Sequence, residues 1–228
     1  MQRAVLLRDV GCILYLWLSA QRGKECGRLV VSDFTQDGLA CLPAWGALEA
    51  GHLPESGCVY VEPSLGTKSR QHGRPGEIKV TVEPAARAAY CFLRWVPKYA
   101  AVMRACGSLV TGWLFKPLQL PELRVFREGP LESQAMNAAY QRHMKACEFF
   151  MGETLHGIRR GRYQHLRYRL GWSVQQIMDV VLVSCPDTVG RYLHRSAHGP
   201  RVRRAEARRA GGRGGAAATA ERYMCLHT

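Results

Sequence analysis

The chain has 228 residues, of which 47% are hydrophobic and 22% charged, as in one ordinary folded domain with or without a tail. Its 32 Lys and Arg against 18 Asp and Glu leave a formal net charge of +14. The composition excludes collagen, coiled-coil and low-complexity proteins. The positive charge predicts a polyanionic partner, either nucleic acid or an acidic membrane surface.

The first predicted element is an apolar helix that ends near residue 20, with Asp9 placed to cap it. The run VGCILYLWLSA (10–20) follows Arg3 and Arg8, a pattern that is also typical of a signal peptide. The run is far shorter than the roughly 20 residues that a membrane-spanning helix needs. A buried helix with a charged C-terminal end explains it equally well.

Three strands are predicted next, at RLVVSDF (28–34), CVYVEP (58–63) and EIKVTV (77–82). The last two alternate polar with β-branched residues and are joined by PSLGTKSRQHGRPG. Several turn-forming residues in this connection predict a hairpin with a long basic tip, which carries Lys68, Arg70 and Arg74.

Helices are predicted over much of the remaining body. Their ranges are 83 to about 107, with an interruption at Pro97, then 133–150, 159–171, 173–184 and 186–195. The predicted fold class is therefore mainly α with a small antiparallel β-sheet (α+β).

The composition changes near residue 198. Residues 1–198 are expected to form one domain, whereas residues 199–228 are rich in Arg, Gly and Ala and contain little that a core could bury. We expect this tail to be disordered, because it cannot bury enough surface to offset its chain entropy. Its arginines add sequence-independent attraction to phosphates, although a solvated tail without a role is the plain alternative.

The nine cysteines are dispersed and contain no C-x-x-C pair. This pattern argues against a disulfide framework and a zinc ribbon, and it favours reduced thiols in an intracellular protein. His194 and His198 lie four residues apart, but no third ligand is near them in the sequence. The sequence predicts neither a metal nor another cofactor.

Five polar residues stand where nothing structural requires them. Arg22 follows the first helix, and Glu25 is placed to pair with it. Lys68 lies on the hairpin tip, His156 and Arg159 form H-x-x-R, and Tyr192 lies near the end of the body. Each alone has an ordinary explanation, such as a surface charge, a solvated tip or a packing residue.

Together the five residues suit phosphoryl transfer. Two arginines can bind the non-bridging oxygens of a phosphodiester. A histidine can move a proton, a lysine can protonate the departing alkoxide, and a tyrosine can be the nucleophile. Such a centre needs neither a metal nor a nucleotide.

The order Arg, Lys, H-x-x-R, Tyr resembles the catalytic domain of the tyrosine recombinase (phage-integrase-like) family over roughly residues 5–195. RDVGCILYLWLSAQRGKECGRLVVSDF is similar to the first box of that family, TLHGIRRG to the second, and PDTVGRYLH to the segment that bears the nucleophile. The resemblance implies that Arg22 and Arg159 bind the scissile phosphate, His156 assists proton transfer and Lys68 is the general acid. It implies that Tyr192 forms a 3′-phosphotyrosyl link.

The implied function is a site-specific DNA recombinase or integrase, as found in mobile elements, that rejoins strands without ATP. Its implied partner is double-stranded DNA, on which copies of the chain would associate with one another. We expect Arg70, Arg74, Arg160 and Arg162 to bind DNA, and we expect an intracellular location, the nucleus in a eukaryote and the cytoplasm or nucleoid otherwise. No membrane partner is expected.

Two departures from the family pattern limit this interpretation. Val183 stands nine residues before Tyr192, where the family usually carries a His or Trp that donates to the phosphate. The separate N-terminal DNA-gripping domain that is common in the family is also not seen in the sequence. A catalytically inactive DNA-binding protein on the same fold is therefore the main alternative, and a basic secreted or membrane-surface protein is the next.

Overall fold

The computed structural model describes residues 1–36, 42–63, 77–119 and 125–193. Its α-helices are α1 (Gln2–Ser19), α2 (Gly23–Cys26), α3 (Trp45–Glu49), α4 (Phe92–Ala105), α5 (Ser133–Ala146), α6 (Leu155–Gln164), α7 (Val174–Val181) and α8 (Pro186–Leu193). Its strands are β1 (Phe34–Gln36), β2 (Leu42–Pro43), β3 (Cys58–Val61) and β4 (Ile78–Thr81). Short 3-10 turns at Val31–Asp33 and Ala85–Tyr90 and a π-helical turn at His165–Arg169 join some of these elements.

The strands form one antiparallel sheet in the order β2-β1-β3-β4. Val59 of β3 and Val80 of β4 face each other in the core, whereas Lys79 and Thr81 are exposed on β4. This alternation is the one that predicted the hairpin, and the fold class of mainly α with a small antiparallel sheet is confirmed. The hairpin tip with Lys68, Arg70 and Arg74 lies outside the described residues, as does the predicted tail.

The main core is built where α1 crosses α4. Trp95 of α4 lies directly against Gly11 of α1, and its indole nitrogen donates a hydrogen bond of 2.8 Å to the Leu7 carbonyl. The Trp95 ring stacks between Phe92 and Tyr99, at centroid distances of 5.1 and 4.7 Å. Within the described ranges, no helix combines the length and apolarity needed to cross a bilayer.

The prediction that Asp9 caps the first helix is wrong, because α1 begins at Gln2 and Asp9 is buried within it. Its carboxylate accepts a 2.7 Å bond from Arg8 and lies 3.1 Å from Nε2 of His143 on α5. Burial acts to raise the pKa of Asp9, but His143 and Arg8 outweigh it and hold that pKa below 3.8. The contact between Asp9 and His143 therefore joins α1 to α5.

Two further local predictions need correction. The run 28–34 is a strand only at Phe34, because Val31–Asp33 turn back so that the Asp33 carboxylate accepts a bond from the Val30 amide. Pro97 does not interrupt α4, which runs unbroken from Phe92 to Ala105. Packing of this helix on α1 outweighs the one backbone bond that a proline removes.

A second apolar cluster is formed by α7, α8 and the end of α6. Ile177, Met178 and Val181 of α7 pack with Val189 and Leu193 of α8. Ser173 caps α7, since its hydroxyl accepts a 3.2 Å bond from the Gln176 amide and the Gln176 side chain accepts one from the Ser173 amide. This cluster holds α8 against α6.

The contact between Gly11 and Trp95 predicts that Gly11→Ala lowers the free energy of unfolding by about 1–3 kcal/mol, because the new methyl group overlaps an indole ring fixed by its own hydrogen bond. Gly46→Ala in α3 is the control, since its methyl group meets no atom within 4 Å. Urea denaturation of both variants measures the difference. A Gly11→Ala protein as stable as the wild type would contradict this packing.

Candidate functional site

A cleft of about 520 Å³ opens between the α1–α2 connection, α5 and the first turn of α6. Three of the five sequence-predicted residues, Arg22, His156 and Arg159, line it. The other lining residues are Gln21, Gly23, Lys24, Ser133, Gln134, Asn137, Ala138, Gln141, Thr154 and Leu155. Residues more than 130 positions apart in the sequence thus share one concave surface.

Arg22 is placed by the end of the first helix. α1 ends at Ser19, the following Ala20 caps it in the left-handed conformation (φ 51°), and Arg22 directly precedes α2. The Arg22 amide donates a 2.7 Å bond to Oε2 of Glu25, and its Nη1 donates a 3.2 Å bond to Oε1. The predicted Arg22–Glu25 pair is confirmed. Because 43% of the Arg22 side chain is exposed, the guanidinium group still has accessible donors.

The start of α6 is tied to α5 by two polar contacts. Asn137 Oδ1 accepts a 3.0 Å bond from the Leu155 amide, and Gln141 donates a 3.2 Å bond to the Glu153 carbonyl. These contacts satisfy backbone groups near the N-terminus of α6, which its own helix leaves unpaired. They place His156 and Arg159, one helical turn apart, beside the cleft.

Arg159 is only 4% exposed, yet its guanidinium group is incompletely paired. Nη2 donates a 3.2 Å bond to the Tyr163 hydroxyl. Nε and Nη1 are buried and have no hydrogen-bond partner among the residues that the structure describes. Burying a cation with unsatisfied donors is unfavourable, so the arrangement is suited to an anion that supplies the missing acceptors.

The ring of Tyr192 lies over the same group of residues. Its centroid is 5.2 Å from that of His156 and 4.6 Å from that of Tyr163, and Cζ of Arg159 is 5.3 Å from the Tyr192 ring. Tyr192 is half-buried, whereas Tyr163 is fully buried. α8 therefore brings an accessible tyrosine to the cleft arginine and histidine.

The positive surroundings change the acid–base character of His156. Burial, Arg159, Arg22 and Arg160, in decreasing order of effect, lower the pKa of His156 below its usual 6.5. The imidazole is therefore neutral at pH 7 and is able to accept a proton.

The remaining predicted residues are placed differently. Lys68, Arg70 and Arg74 lie outside the described residues. Arg160 acts on His156 electrostatically, as stated above. Arg162 does not line the cleft, and its Cζ lies 5.7 Å from the Trp17 ring.

Val183 packs against the second apolar cluster, together with Trp172 and Val174. Its side chain has no hydrogen-bond donor, so at this position the chain supplies packing alone. No group of three or more His, Cys, Asp or Glu able to hold a metal is found in the described ranges.

The sequence interpretation did not single out Tyr163. Its spacing of four residues from Arg159 was the available signal, because residues i and i+4 lie on one face of a helix. Asn137 and Gln141 were missed as well, since amides on a polar helix face carry no distinctive pattern.

Comparison with solved structures identifies the fold. Over 91% of its length, the chain is similar to the XerH site-specific recombinase bound to palindromic difH substrate in a post-cleavage complex, with a TM-score of 0.57 and 14% identity. Over 90% of its length it is similar to the pre-cleavage complex of XerH with difH substrate, with a TM-score of 0.56 and 14% identity. The chain therefore has the fold of a site-specific tyrosine recombinase, as the sequence resemblance implied.

The likeness extends over only part of the recombinase. The chain spans about half the length of these solved structures, covering 47% of each. No protein-family model matches the sequence, and no curated protein sequence matches it either.

We predict that Arg22→Gln raises the pKa of His156 toward 6.5, because loss of a nearby positive charge makes the imidazolium form less unfavourable. Titration of the His156 ring by NMR measures the change. Arg104→Gln is the control, since Arg104 pairs with Glu49 and is not among the charges that lower this pKa. An unchanged pKa in Arg22→Gln would place Arg22 and His156 in separate electrostatic environments.

We also predict that Arg159→Met changes the free energy of unfolding by less than about 1 kcal/mol, because relief of two unsatisfied donors offsets the lost bond to Tyr163. The same change should abolish the increase in melting temperature that inorganic phosphate gives the wild type. A loss of more than about 3 kcal/mol would instead indicate that Arg159 is a structural ion.

Proposed function

We propose that the protein is a DNA strand transferase that cuts and rejoins DNA through a covalent link between Tyr192 and a 3′-phosphate. The observation that carries the proposal is the buried guanidinium group of Arg159, two nitrogens of which have no partner among the described residues. It lies beside a cleft that Arg22 and His156 also line. The DNA substrates in the complexes of XerH, which shares this fold, support DNA as the ligand.

In the proposed reaction Arg22 and Arg159 bind the non-bridging oxygens of one phosphodiester and stabilise the charge that grows there. The Tyr192 hydroxyl oxygen attacks phosphorus, the bond from phosphorus to the 5′-oxygen breaks, and the tyrosyl proton passes to neutral His156. Lys68 protonates the departing 5′-oxygen. Attack by a 5′-hydroxyl reverses these steps and rejoins the strand, so no external energy source is needed.

The nucleophile acts on the phosphate bound by its own chain. The ring contacts of Tyr192 with His156 and Arg159 are made within one chain, and they support attack in cis. Tyr163 is the other tyrosine nearby, but it is fully buried, and burial raises the pKa of its hydroxyl. Accessibility therefore favours Tyr192.

Because Val183 supplies no hydrogen-bond donor, we expect the strand-transfer reaction to be slow. The loss of one donor to the transition state removes about 2.7–4 kcal/mol of stabilisation, or about a hundred- to a thousandfold in rate. The valine packs without supplying a substitute donor of its own. This observation favours the second candidate function, a catalytically inactive DNA-binding protein that keeps the phosphate cleft.

Other features follow from the same proposal. The substrate is double-stranded DNA, on which copies of the chain associate, and the protein acts inside the cell as an integrase or recombinase of a mobile element. Affinity rests largely on phosphate contacts, given the net charge of +14, so it falls steeply with salt concentration.

The proposal predicts that Tyr192→Phe abolishes covalent capture of DNA, because the ring is kept and only the attacking oxygen is lost. The substrate is a pool of randomised duplexes with a nick next to the scissile position, so that the short leaving strand diffuses away and the adduct accumulates. Adducts are measured as protein–DNA bands that survive denaturation. Tyr90→Phe, at a tyrosine that is 69% exposed, is the matched control.

Each result has a distinct meaning. Adducts in the wild type and in Tyr90→Phe but not in Tyr192→Phe support the strand transferase. Salt-sensitive binding without any adduct in the wild type establishes the inactive DNA-binding protein. Binding that does not weaken between low and high salt contradicts phosphate recognition altogether.

A further inference from the structure

We infer that Tyr163 is a positioning residue that fixes the orientation of Arg159 and supports the Tyr192 ring during strand transfer. This inference rests on the proposed function, since it assigns Tyr163 a role in the reaction of that site. Tyr163 does not line the cleft and is fully buried. It therefore acts through Arg159 and Tyr192 and has no direct contact with DNA.

The position of Tyr163 follows from the geometry of α6. One helical turn separates it from Arg159, so both side chains lie on the face of α6 that is directed at α8. The Tyr163 hydroxyl accepts the 3.2 Å bond from Nη2 of Arg159, and Cζ of Arg159 lies 5.6 Å from the Tyr163 ring. The ring centroid of Tyr163 is 4.6 Å from that of Tyr192.

The hydrogen bond restricts the guanidinium group. A guanidinium has five N–H donors in one plane, so fixing Nη2 restricts rotation of that plane and with it the directions of Nε and Nη1. These two nitrogens are the ones without a partner in the described part of the chain. Tyr163 thus holds ready the donors that the proposed phosphate would use, before the phosphate binds.

The same side chain sets the place of the nucleophile. The Tyr163 ring belongs to the second apolar cluster, against which the Tyr192 ring packs. The π-helical turn that follows α6 in the chain carries Tyr168, whose hydroxyl donates a 3.0 Å bond to the Leu193 carbonyl at the end of α8. One continuous helical segment therefore holds the arginine and fixes both the ring of Tyr192 and the end of its helix.

The protonation state of Tyr163 separates its role as a hydrogen-bond acceptor from the role of Tyr192 as the nucleophile. Burial raises the pKa of Tyr163, which outweighs the lowering effect of Arg159. The hydroxyl stays protonated and neutral, so it accepts from Arg159 and does not compete as a nucleophile. An anionic tyrosine at this position would instead neutralise Arg159 and weaken its hold on a phosphate.

The test compares two buried Tyr→Phe changes in the full chain. Tyr163→Phe removes the hydroxyl that accepts from Arg159, whereas Tyr99→Phe removes an equally buried hydroxyl that donates to the Leu114 carbonyl in the main core. For each variant, the single-turnover rate of adduct formation on the nicked duplex pool, the Kd for uncleaved duplex and the melting temperature are measured.

We expect Tyr163→Phe to slow adduct formation about ten- to a hundredfold relative to Tyr99→Phe, the effect of losing one hydrogen bond to a charged group. We expect its Kd to stay within about threefold of the wild type, because many phosphate contacts share the binding energy. A merely structural role would not separate rate from binding in this way.

Other results overturn the inference. Equal rates of adduct formation in the two variants would overturn the role of Tyr163. So would a rate in Tyr163→Phe that falls only in proportion to the loss of DNA binding. Neither result would contradict the proposed strand-transferase activity. If the wild type forms no adduct, the proposed strand-transferase function is wrong, and with it the role of Tyr163 in that reaction. If Tyr163→Phe does not fold, NMR of the Arg159 side chain in the wild type decides, since slow rotation of the guanidinium group is expected and free rotation contradicts its restraint by Tyr163.

Discussion

The site is organised around a buried cation that the described part of the chain leaves incompletely paired. Arg159 donates one bond to Tyr163, but Nε and Nη1 lie away from solvent without acceptors among the described residues. Such a group is tolerated because other contacts hold the helices around it. α5 holds the start of α6, and the Asp9–His143 contact joins α5 to α1. The apolar cluster of α7 and α8 packs against the end of α6. An incompletely paired buried cation is unfavourable for stability, and this is the feature from which we propose that an anion binds here.

The sequence predicted the fold class well wherever a single periodicity dominated. The β3–β4 hairpin followed from alternation, and α7 and α8 lie within the segments 173–184 and 186–195 that the sequence predicted as helices. It failed where tertiary contacts outweighed local signals. Asp9 has the chemistry of a helix cap, but its partner His143 is 134 residues away, and no local pattern reveals that the two are in contact.

For the site, order along the chain was more informative than any single motif. Arg22, His156 and Arg159 meet in one cleft, and Tyr192 lies beside it, as a functional unit of distant residues requires. Tyr163 could not be distinguished from a packing residue in the sequence, because its bond to Arg159 is visible only in the structure. That Val183 supplies no hydrogen-bond donor was readable from residue chemistry alone, since no aliphatic side chain donates a hydrogen bond.

The most direct measurement is a crystal structure of the protein with vanadate, an anion that adopts the geometry of a phosphoryl-transfer transition state. We predict one vanadate in the cleft, with oxygens within about 3.2 Å of nitrogens from both Arg22 and Arg159 and with the Tyr192 oxygen at an axial position. A cleft that stays empty at saturating vanadate, or an anion held by other residues while Nε and Nη1 of Arg159 remain unpaired, would contradict phosphate binding by Arg22 and Arg159.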